Sequence, residues 1–273
     1  MTQQAGTPEY ALRLSEQERM RYRFMAARAL EDEGARWAAA GVVAGARIAD
    51  VGCGPGAVLV ELARIAGESG EVIGVEPDPA ARAAAEEEIA AAGVAGARVI
   101  EGTGAATGLE PASFDVVMIR HVLFHAGAGA PDILRHCATL LRPGGHLYVV
   151  DTDATASRLG IADPDPDAFE LWNLYWQFQA DRGCNITVGP LLGPMLVDAG
   201  LEIADRAGWY NVVPGEVLML GGPIVAAIPA LRAAGRATDA DEARWRAGIQ
   251  RVAATPGAAV FTSLFVAVGR KPG

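Results

Sequence analysis

Lysine is almost absent from this chain, and acidic residues outnumber basic ones. Lys271 is the single lysine among 23 basic residues, whereas aspartate and glutamate total 33, which gives a formal net charge of −10. A chain this acidic lacks the positive surface that attracts phosphate backbones. We therefore expect no nucleic-acid partner.

Cysteine is scarce as well. Cys53, Cys137 and Cys184 are scattered and form no C-x-x-C pair, so we expect neither a disulfide framework nor a metal site. The first ten residues show neither a basic start nor an apolar stretch, so we expect no signal peptide. Together these features predict a cytoplasmic protein.

Long apolar runs are missing too, although 51% of the residues are hydrophobic. The segment most suggestive of a membrane, residues 217–231, has only 15 residues and contains Pro223 and Pro229. A membrane-spanning helix needs about 20 apolar residues. The composition therefore predicts a globular protein without a membrane span.

Short apolar strands alternate with helices through the first half of the chain, a pattern typical of βαβ units in a parallel sheet. Strands are predicted over residues 48–51, 71–76, 98–101, 114–119 and 146–151. A helix is predicted from Ser15, where Ser15 and Glu18 match a capping box, toward Leu30. Further helices are predicted after the glycines at 52–56, after Asp78, and over residues 131–141.

The second half reads as two more strands among helices. Strands are expected over residues 201–205 and 260–268, and helices over 164–180, 190–199, 216–234 and 239–253. We predict one α/β domain with a doubly wound, seven-stranded, Rossmann-like sheet and helical lid insertions. Its parts are an N-terminal helical lid (1–45), a cofactor-binding core (46–153), a helical substrate lid (154–200 and 213–258) and the last strands (201–212 and 259–270).

A glycine-rich turn follows the first predicted strand. The sequence runs from Asp50 through Gly52, Gly54 and Gly56 into a helix, and glycine suits a sharp turn that a ligand approaches closely. Glu76 ends the next strand, where its carboxylate can accept hydrogen bonds from two ribose hydroxyls. The alternative is a tight turn beside an incidental surface acid.

The spacing of these glycines differs from the G-x-G-x-x-G of dinucleotide-binding proteins. It resembles the first motif of class I S-adenosylmethionine-dependent methyltransferases. The resemblance continues through Glu76-Pro77, Phe114-Asp115-Val116-Val117 and the segment Leu141 to Leu147. Residues 120–125 are similar to the ubiquinone/menaquinone-biosynthesis-like subgroup of that family.

The resemblance implies S-adenosyl-L-methionine as cofactor. One departure is that Thr103 stands where the family has an acid that contacts the adenine. The residues expected to bind the cofactor are Asp50, Gly52, Gly54, Gly56, Glu76, Pro77, Gly102, Thr103, Gly104, Arg120, His121 and Tyr22.

His121 and His125 are one helical turn apart and are the candidate catalytic residues. An imidazole titrates near neutrality, so either can serve as a general base. The alternative is that both only line the cofactor or cap the helix. As metal ligands they would need a third partner, which the sequence does not supply.

Aromatic side chains make up only 6% of the chain and concentrate outside the cofactor half. In the resembled enzymes these regions close over the site, which implies an apolar acceptor pocket. The residues expected there are Tyr10, Trp172, Tyr175, Trp176 and Trp209. The alternative is that the stripe is simply helix core.

The sequence thus predicts S-adenosylmethionine-dependent methyl transfer to a small, fairly apolar metabolite, in secondary metabolism. O-methylation is favoured, with C- or N-methylation left open. The alternatives are a nicotinamide-dependent oxidoreductase, disfavoured by the glycine spacing and the lack of a Tyr-x-x-x-Lys pair, and a non-catalytic S-adenosylmethionine-binding protein. Homodimerisation is left open.

Overall fold

A computed structural model describes residues 16–215 and 222–273 of the chain. The helices are α1 (Glu16–Ala39), α2 (Ala57–Ala66), α3 (Pro79–Ala92), α4 (Leu123–Ala126), α5 (Ala130–Leu140), α6 (Pro166–Asp181), α7 (Leu192–Asp198), α8 (Pro223–Ala226), α9 (Ile228–Ala233) and α10 (Asp239–Ala254). The strands are β1 (Arg47–Val51), β2 (Glu71–Glu76), β3 (Ala97–Glu101), β4 (Phe114–Arg120), β5 (Leu141–Asp151), β6 (Arg158–Gly160), β7 (Glu202–Pro214) and β8 (Ala259–Arg270).

All eight of these strands join one sheet, which confirms the predicted fold class. The order is β3-β2-β1-β4-β5-β8-β6, with β7 also paired to β8. β1 to β5 pair in parallel, and β8 runs antiparallel to β5 and β7. The strand beyond the predicted seven is β6, whose three residues lie in the lid region and pair with the start of β8.

Alternate side chains of the central strands fill two cores, one on each face of the sheet. Val117 and Ile119 of β4 belong to the core beneath α5 and α7. Val116 and Met118 point the other way, into the core that contains Trp37 of α1. This two-sided burial explains why the strands read as continuous apolar runs.

The lid helices have a third core of their own. Buried side chains of α6, α8, α9 and α10 pack together there, and Trp245, the largest fully buried one, is 1% exposed. The helix predicted over 239–253 is confirmed as α10, and Thr238 and Asp241 form both hydrogen bonds of a capping box at its start. The lid is therefore a packed unit beside the sheet.

Several element boundaries differ from the predictions. β7 has 13 residues and pairs with β8 along its whole length, so the five-residue strand predicted over 201–205 was too short. The helix predicted over 216–234 is wrong as one piece, because α8 and α9 are short helices that meet before Pro229. α1 runs nine residues beyond Leu30, while its predicted cap at Ser15 lies outside the described residues.

None of the helices in the described ranges, 16–215 and 222–273, is both long enough and apolar enough to cross a bilayer.

Candidate active site

The glycine turn between β1 and α2 adopts a backbone that only glycine accommodates well. Gly52, Gly54 and Gly56 have φ values of +76°, +53° and +82°. A Cβ on Gly52 would lie 2.4 Å from Val122 Cγ2, and one on Gly56 would lie 2.9 Å from Ala85 Cβ. No atom lies within 4 Å of the Cβ position of Gly54. The middle glycine therefore leaves an open surface at the carboxyl edge of the sheet.

Glu76 closes the opposite side of this turn. The Gly54 N–H donates to Glu76 Oε2 at 3.0 Å, and the Asp78 N–H donates to Oε1 at 3.0 Å. Its side chain is largely buried, and that burial raises the pKa of the carboxyl group although both backbone bonds oppose the rise. Glu76 thus fixes the glycine turn from the neighbouring strand.

Asp50 lies beneath the turn at the end of β1 and is 2% exposed. Burial raises its pKa to about 7, while Arg120 opposes the rise and Glu76 adds to it. This carboxyl group is shielded from water and sensitive to any charge brought to the edge of the sheet.

The loop after β3 is tied to helix α5. Thr103 and Ala106 exchange two backbone hydrogen bonds of 3.1 Å each. The Thr107 N–H donates to His136 Nε2 at 3.2 Å, and the Thr107 hydroxyl lies 2.8 Å from the same nitrogen. Gly102 is required there because a Cβ would lie 2.7 Å from Val75 Cγ1. His136 therefore holds this loop, a role that sequence reasoning missed because the contact joins distant residues.

Arg120, at the end of β4, anchors α1. Its guanidinium donates to both oxygens of Glu33, at 2.5 and 2.9 Å, and the Tyr148 hydroxyl donates to Glu33 at 3.0 Å. Glu33 is 1% exposed. The Arg120 guanidinium is thus bound to α1, the helix that covers the edge of the sheet. Contact between Arg120 and a cofactor stays a prediction.

His121 and His125 follow directly at the same edge. His121 has φ +55°, a backbone region that a non-glycine residue rarely occupies. Burial lowers the pKa of His121 to about 3 and that of His125 to about 4, helped by Arg120 at His121 and by Arg182 at His125. Both imidazoles are therefore neutral at pH 7.

Asp151 positions the short helix that carries His125. Its carboxylate accepts the N–H of Phe124 and the N–H of Thr152, each at 2.9 Å. Asp151 is completely buried, and burial raises its pKa to about 7. It therefore acts within the protein rather than on an acceptor molecule.

A polar cluster surrounds His125 on the lid side. Cys184 Sγ lies 4.0 Å from His125 Nδ1, and the thiol donates to Gln179 Oε1 at 3.7 Å. Arg182 is close enough to lower the pKa of His125. Sequence reasoning missed Gln179 and Cys184, which have no local motif and reach His125 only through the fold.

Comparison with known proteins decides the family. A methyltransferase-domain family model matches residues 49–149. The ubiquinone biosynthesis O-methyltransferase of Ralstonia nicotianae is 39% identical over 177 residues, which cover 64% of this chain and 71% of that protein. The chain belongs to the class I S-adenosylmethionine-dependent methyltransferases.

Two further likenesses agree with this family. The ubiquinone biosynthesis O-methyltransferase of Rhizobium johnstonii is 30% identical over 60% of this chain, and the match spans 63% of that protein, less than two thirds of its length. The crystal structure of the YcgJ protein from Bacillus subtilis superimposes with a TM-score of 0.60 at 18% identity, covering 88% of this chain and 97% of that one. At that identity the likeness concerns the fold alone.

The cofactor of this methyltransferase family is S-adenosylmethionine, and the residues present fit it. Gly54 leaves open space where any side chain would intrude. The Glu76 carboxylate accepts from the Gly54 N–H beside that space, and Tyr22 and Pro55 line a small pocket between α1 and the start of α2. The nicotinamide-dependent alternative is set aside.

The aromatic residues predicted for the acceptor site of the methyltransferase do not all lie close together. Trp176 is half-buried and contacts Phe124 and Tyr175, with ring centroids 6.1 and 4.7 Å away. Trp172 is 7% exposed in the lid core. Trp209 lies on the other face of the sheet, against the core that contains Trp37, and Tyr10 lies outside the described residues.

The N-terminal lid helix is held over the glycine turn by ion pairs to α3. Arg19 bonds to Glu87 at 2.6 Å, and Arg23 bonds to Glu88 at 2.7 Å. These pairs hold the first half of α1, with Tyr22, next to Pro55 of the glycine turn. Contact between Tyr22 and the cofactor stays a prediction.

Proposed function

We propose that this methyltransferase transfers a methyl group to the hydroxyl oxygen of a small, fairly apolar acceptor. The observation that carries the proposal is a neutral imidazole, His125, at the carboxyl edge of the sheet and next to aromatic side chains of the lid. Both relatives are ubiquinone biosynthesis O-methyltransferases, which supports oxygen as the acceptor atom.

S-adenosylmethionine, when bound, supplies a methyl group activated by a sulfonium. In our proposal Gly52, Gly54 and Glu76 hold its nucleoside end, and the loop around Thr103 lies next to its adenine. Thr103 is exposed and offers only a hydroxyl and backbone groups. We expect adenine to be held by the backbone of this loop, which His136 and Thr107 keep in place.

His125 is proposed to accept the proton that a hydroxyl loses as its oxygen is methylated. A base must be unprotonated to do this, and the pKa of about 4 keeps the imidazole neutral at pH 7. His121 is proposed to line the cofactor side, because its imidazole sits at the end of β4 beside Arg120. A hydroxyl acceptor needs such a base, whereas a neutral amine does not.

The lid supplies the apolar part of the acceptor site. Trp176 packs against Phe124 on one side and Trp172 on the other, with ring centroids 6.1 and 5.9 Å away. An aromatic acceptor can stack against such edges and exclude water from the reacting groups. A cytoplasmic location and a role in secondary metabolism stay predictions of the sequence.

The test is methyl transfer from S-adenosylmethionine labelled in its methyl group to a panel of apolar phenols, matched anilines and polar sugars. We expect labelled methyl ethers of the phenols. His125→Ala should lower kcat by about 10²–10⁴, while His146→Ala, at the other edge of the sheet where β5 pairs with the end of β8, should retain activity. Labelled anilines alone would reject oxygen as the acceptor, and binding without any transfer would favour the non-catalytic alternative.

A further inference from the structure

We infer that Trp176 is a specificity-determining residue whose indole N–H donates a hydrogen bond to a neutral carbonyl oxygen of the acceptor. This role rests on the proposed function, because it adds a second polar contact at the same acceptor site. The substrate class then narrows to phenols that carry a carbonyl group across the aromatic ring from the hydroxyl. The deciding feature is a buried donor without a partner where the lid meets the sheet.

The Trp176 side chain is half-buried, but its Nε1 atom is fully buried. No hydrogen-bond partner for this atom lies among the residues that the structure describes. An indole nitrogen can only donate, so a partner must bring an acceptor atom. Since the folded protein already carries the cost of removing the N–H from water, a ligand oxygen that reaches it gains a hydrogen bond without adding that cost.

The surroundings of this N–H are aromatic. The rings of Phe124, Trp172 and Tyr175 lie around Trp176 at centroid distances of 6.1, 5.9 and 4.7 Å, and they are inclined to it by 71°, 76° and 66°. An aromatic face is only a weak hydrogen-bond acceptor. A carboxylate would lose its hydration there, whereas a neutral carbonyl oxygen accepts the bond at a lower desolvation cost. The surroundings therefore favour a ketone or a similar group.

Phe124 connects this donor to the proposed base. The His125 ring lies 4.8 Å from the Phe124 ring, and the Trp176 ring lies 6.1 Å from it. The imidazole and the indole thus border the same ring, so an acceptor that packs against Phe124 lies within reach of both. A phenol with its carbonyl group opposite the hydroxyl presents one polar group to each of them.

The positions of Phe124 and Trp176 are fixed by hydrogen bonds of the elements that carry them. The Phe124 N–H donates to Asp151 at 2.9 Å, and the Phe124 carbonyl accepts the N–H of Asn185 at 2.8 Å. Helix α6, which carries Trp176, is capped at its start by the side chain of Asp165. The two rings therefore keep a defined separation, which suits the selection of acceptors by size and polar group.

Two other tryptophans help to isolate the role of Trp176. Within the described part of the chain, Trp209 and Trp245 also have a buried Nε1 without a partner. Trp245 is 1% exposed inside the lid core, and Trp209 packs on the other face of the sheet, against the core that contains Trp37. Of these three donors, Trp176 is the one that adjoins the helix carrying the proposed base.

The contact is measured directly by ¹H–¹⁵N NMR of protein labelled with ¹⁵N in its five tryptophans, with S-adenosylhomocysteine present. The ligands are para-hydroxyacetophenone and para-ethylphenol, which match in size and differ in the carbonyl oxygen. We expect the Trp176 indole proton, assigned by its loss in Trp176→Phe, to move downfield with the ketone and less with para-ethylphenol. The Trp245 signal should stay in place with both. A Trp176 signal that does not respond to the ketone, or responds equally to both phenols, would overturn the inference.

The same two acceptors test selectivity in the reaction. Trp176→Phe keeps an aromatic ring and removes the N–H, so the ratio of kcat/KM for the ketone to kcat/KM for para-ethylphenol should fall about tenfold, the effect of one hydrogen bond. The different acidities of the phenols cancel, because each protein is measured with both. Trp172→Phe changes the neighbouring ring but not this N–H, and should leave the ratio as in the wild type. An unchanged ratio in Trp176→Phe would contradict the role of the indole.

The NMR and kinetic results separate the two proposals. If the ketone moves the Trp176 signal but neither phenol is methylated, then the proposed O-methylation is wrong and the donor role of Trp176 stands. If both phenols are methylated but Trp176→Phe leaves their ratio and the wild-type signal does not respond to the ketone, then O-methylation stands and the role of Trp176 is wrong.

Discussion

At the scale of single residues, the strongest features of this site are polar groups that bond to the backbone of another element. Glu76 bonds to both the glycine turn and the start of α3, and Asp151 bonds to both α4 and the residue after β5. Such residues fix the geometry of several main-chain segments at once. Their removal therefore affects the shape of the site as well as any direct contact with ligand.

Glu76→Ala should weaken the binding of S-adenosylmethionine by more than about tenfold, because a pair of charge-assisted hydrogen bonds and the support of Gly54 are both lost. Isothermal titration calorimetry measures this directly. Glu101→Ala is the matched control, since Glu101 pairs with Glu76 in register on the next strand but is exposed and bound to Arg82. Equal affinity in the two variants would reject the ribose role of Glu76.

The protonation of His125 gives a second prediction at this scale. The folded protein binds this proton only near pH 4, whereas the unfolded chain binds it near pH 6.5. Between these values the unfolded state holds more protons, so this histidine removes stability as the pH falls. The unfolding free energy of the wild type should therefore decline relative to His125→Gln from pH 6.5 toward pH 4.

The difference in unfolding free energy between the wild type and His125→Gln separates the effect of His125 from that of other buried groups that titrate in the same range. Asp50 and Asp151 have pKa values raised to about 7 and act in the opposite direction, but they are present in both proteins. Among the residues that the structure describes, Arg182, Cys184 and His121 are charged or titratable groups close to His125. A difference that stays constant over this range of pH would show that His125 is not shifted.

Sequence reasoning reached the residues of this site unevenly, for a physical reason. Gly54 and Glu76 belong to a local pattern of strand, turn and strand, so spacing reveals them. Glu33 bonds to Arg120 across 87 positions and Cys184 contacts His125 across 59. No local pattern encodes such contacts, because they exist only once the sheet and the lid have formed.

At the scale of secondary structure, the sequence predicted helix ends that depend on a local capping residue. It did not predict the lengths of elements that depend on contacts with distant parts of the chain. Asp78 caps α3 as expected, accepting from the N–H groups of Ala80 and Ala81 at 2.7 and 3.0 Å. The length of β7 depends on its partner β8, which continues beyond the parallel sheet. Likewise α1 continues to Ala39 because its last turns pack against the sheet through Trp37.

The anchor of α1 yields a prediction about this element. Glu33→Ala leaves Arg120 buried without its carboxylate partner, which should lower the free energy of unfolding by about 3–5 kcal/mol. Urea denaturation followed by circular dichroism measures the change. Glu31→Ala serves as the control, because its pair with Arg28 is exposed on the same helix and should cost less than about 1 kcal/mol. Similar losses in both variants would contradict the anchoring role.

At the scale of the whole molecule, the methyltransferase consists of a sheet with two cores and a lid with a third. Trp176 is the side chain that packs against both the lid core and the core beneath α5. The high hydrophobicity of this acidic chain is thus divided between a doubly covered sheet and a separately packed lid. The residues proposed to bind the cofactor come from the sheet and its turns, and the residues proposed to bind the acceptor come from the lid and its border.

This division predicts that a destabilising substitution in the lid core lowers methyl transfer without lowering the affinity for S-adenosylmethionine. Trp245→Ala truncates the largest fully buried side chain of that core and should cost the lid about 3–5 kcal/mol. Methyl transfer should then fall sharply, while the affinity for S-adenosylmethionine stays within about twofold, because distant sites with no shared partners behave independently. Calorimetry and hydrogen exchange of α6 and α10 measure the two effects. Arg246→Ala, exposed on the same helix as Trp245, should change neither, and a parallel loss of cofactor binding in Trp245→Ala would show that lid and sheet fold as one unit.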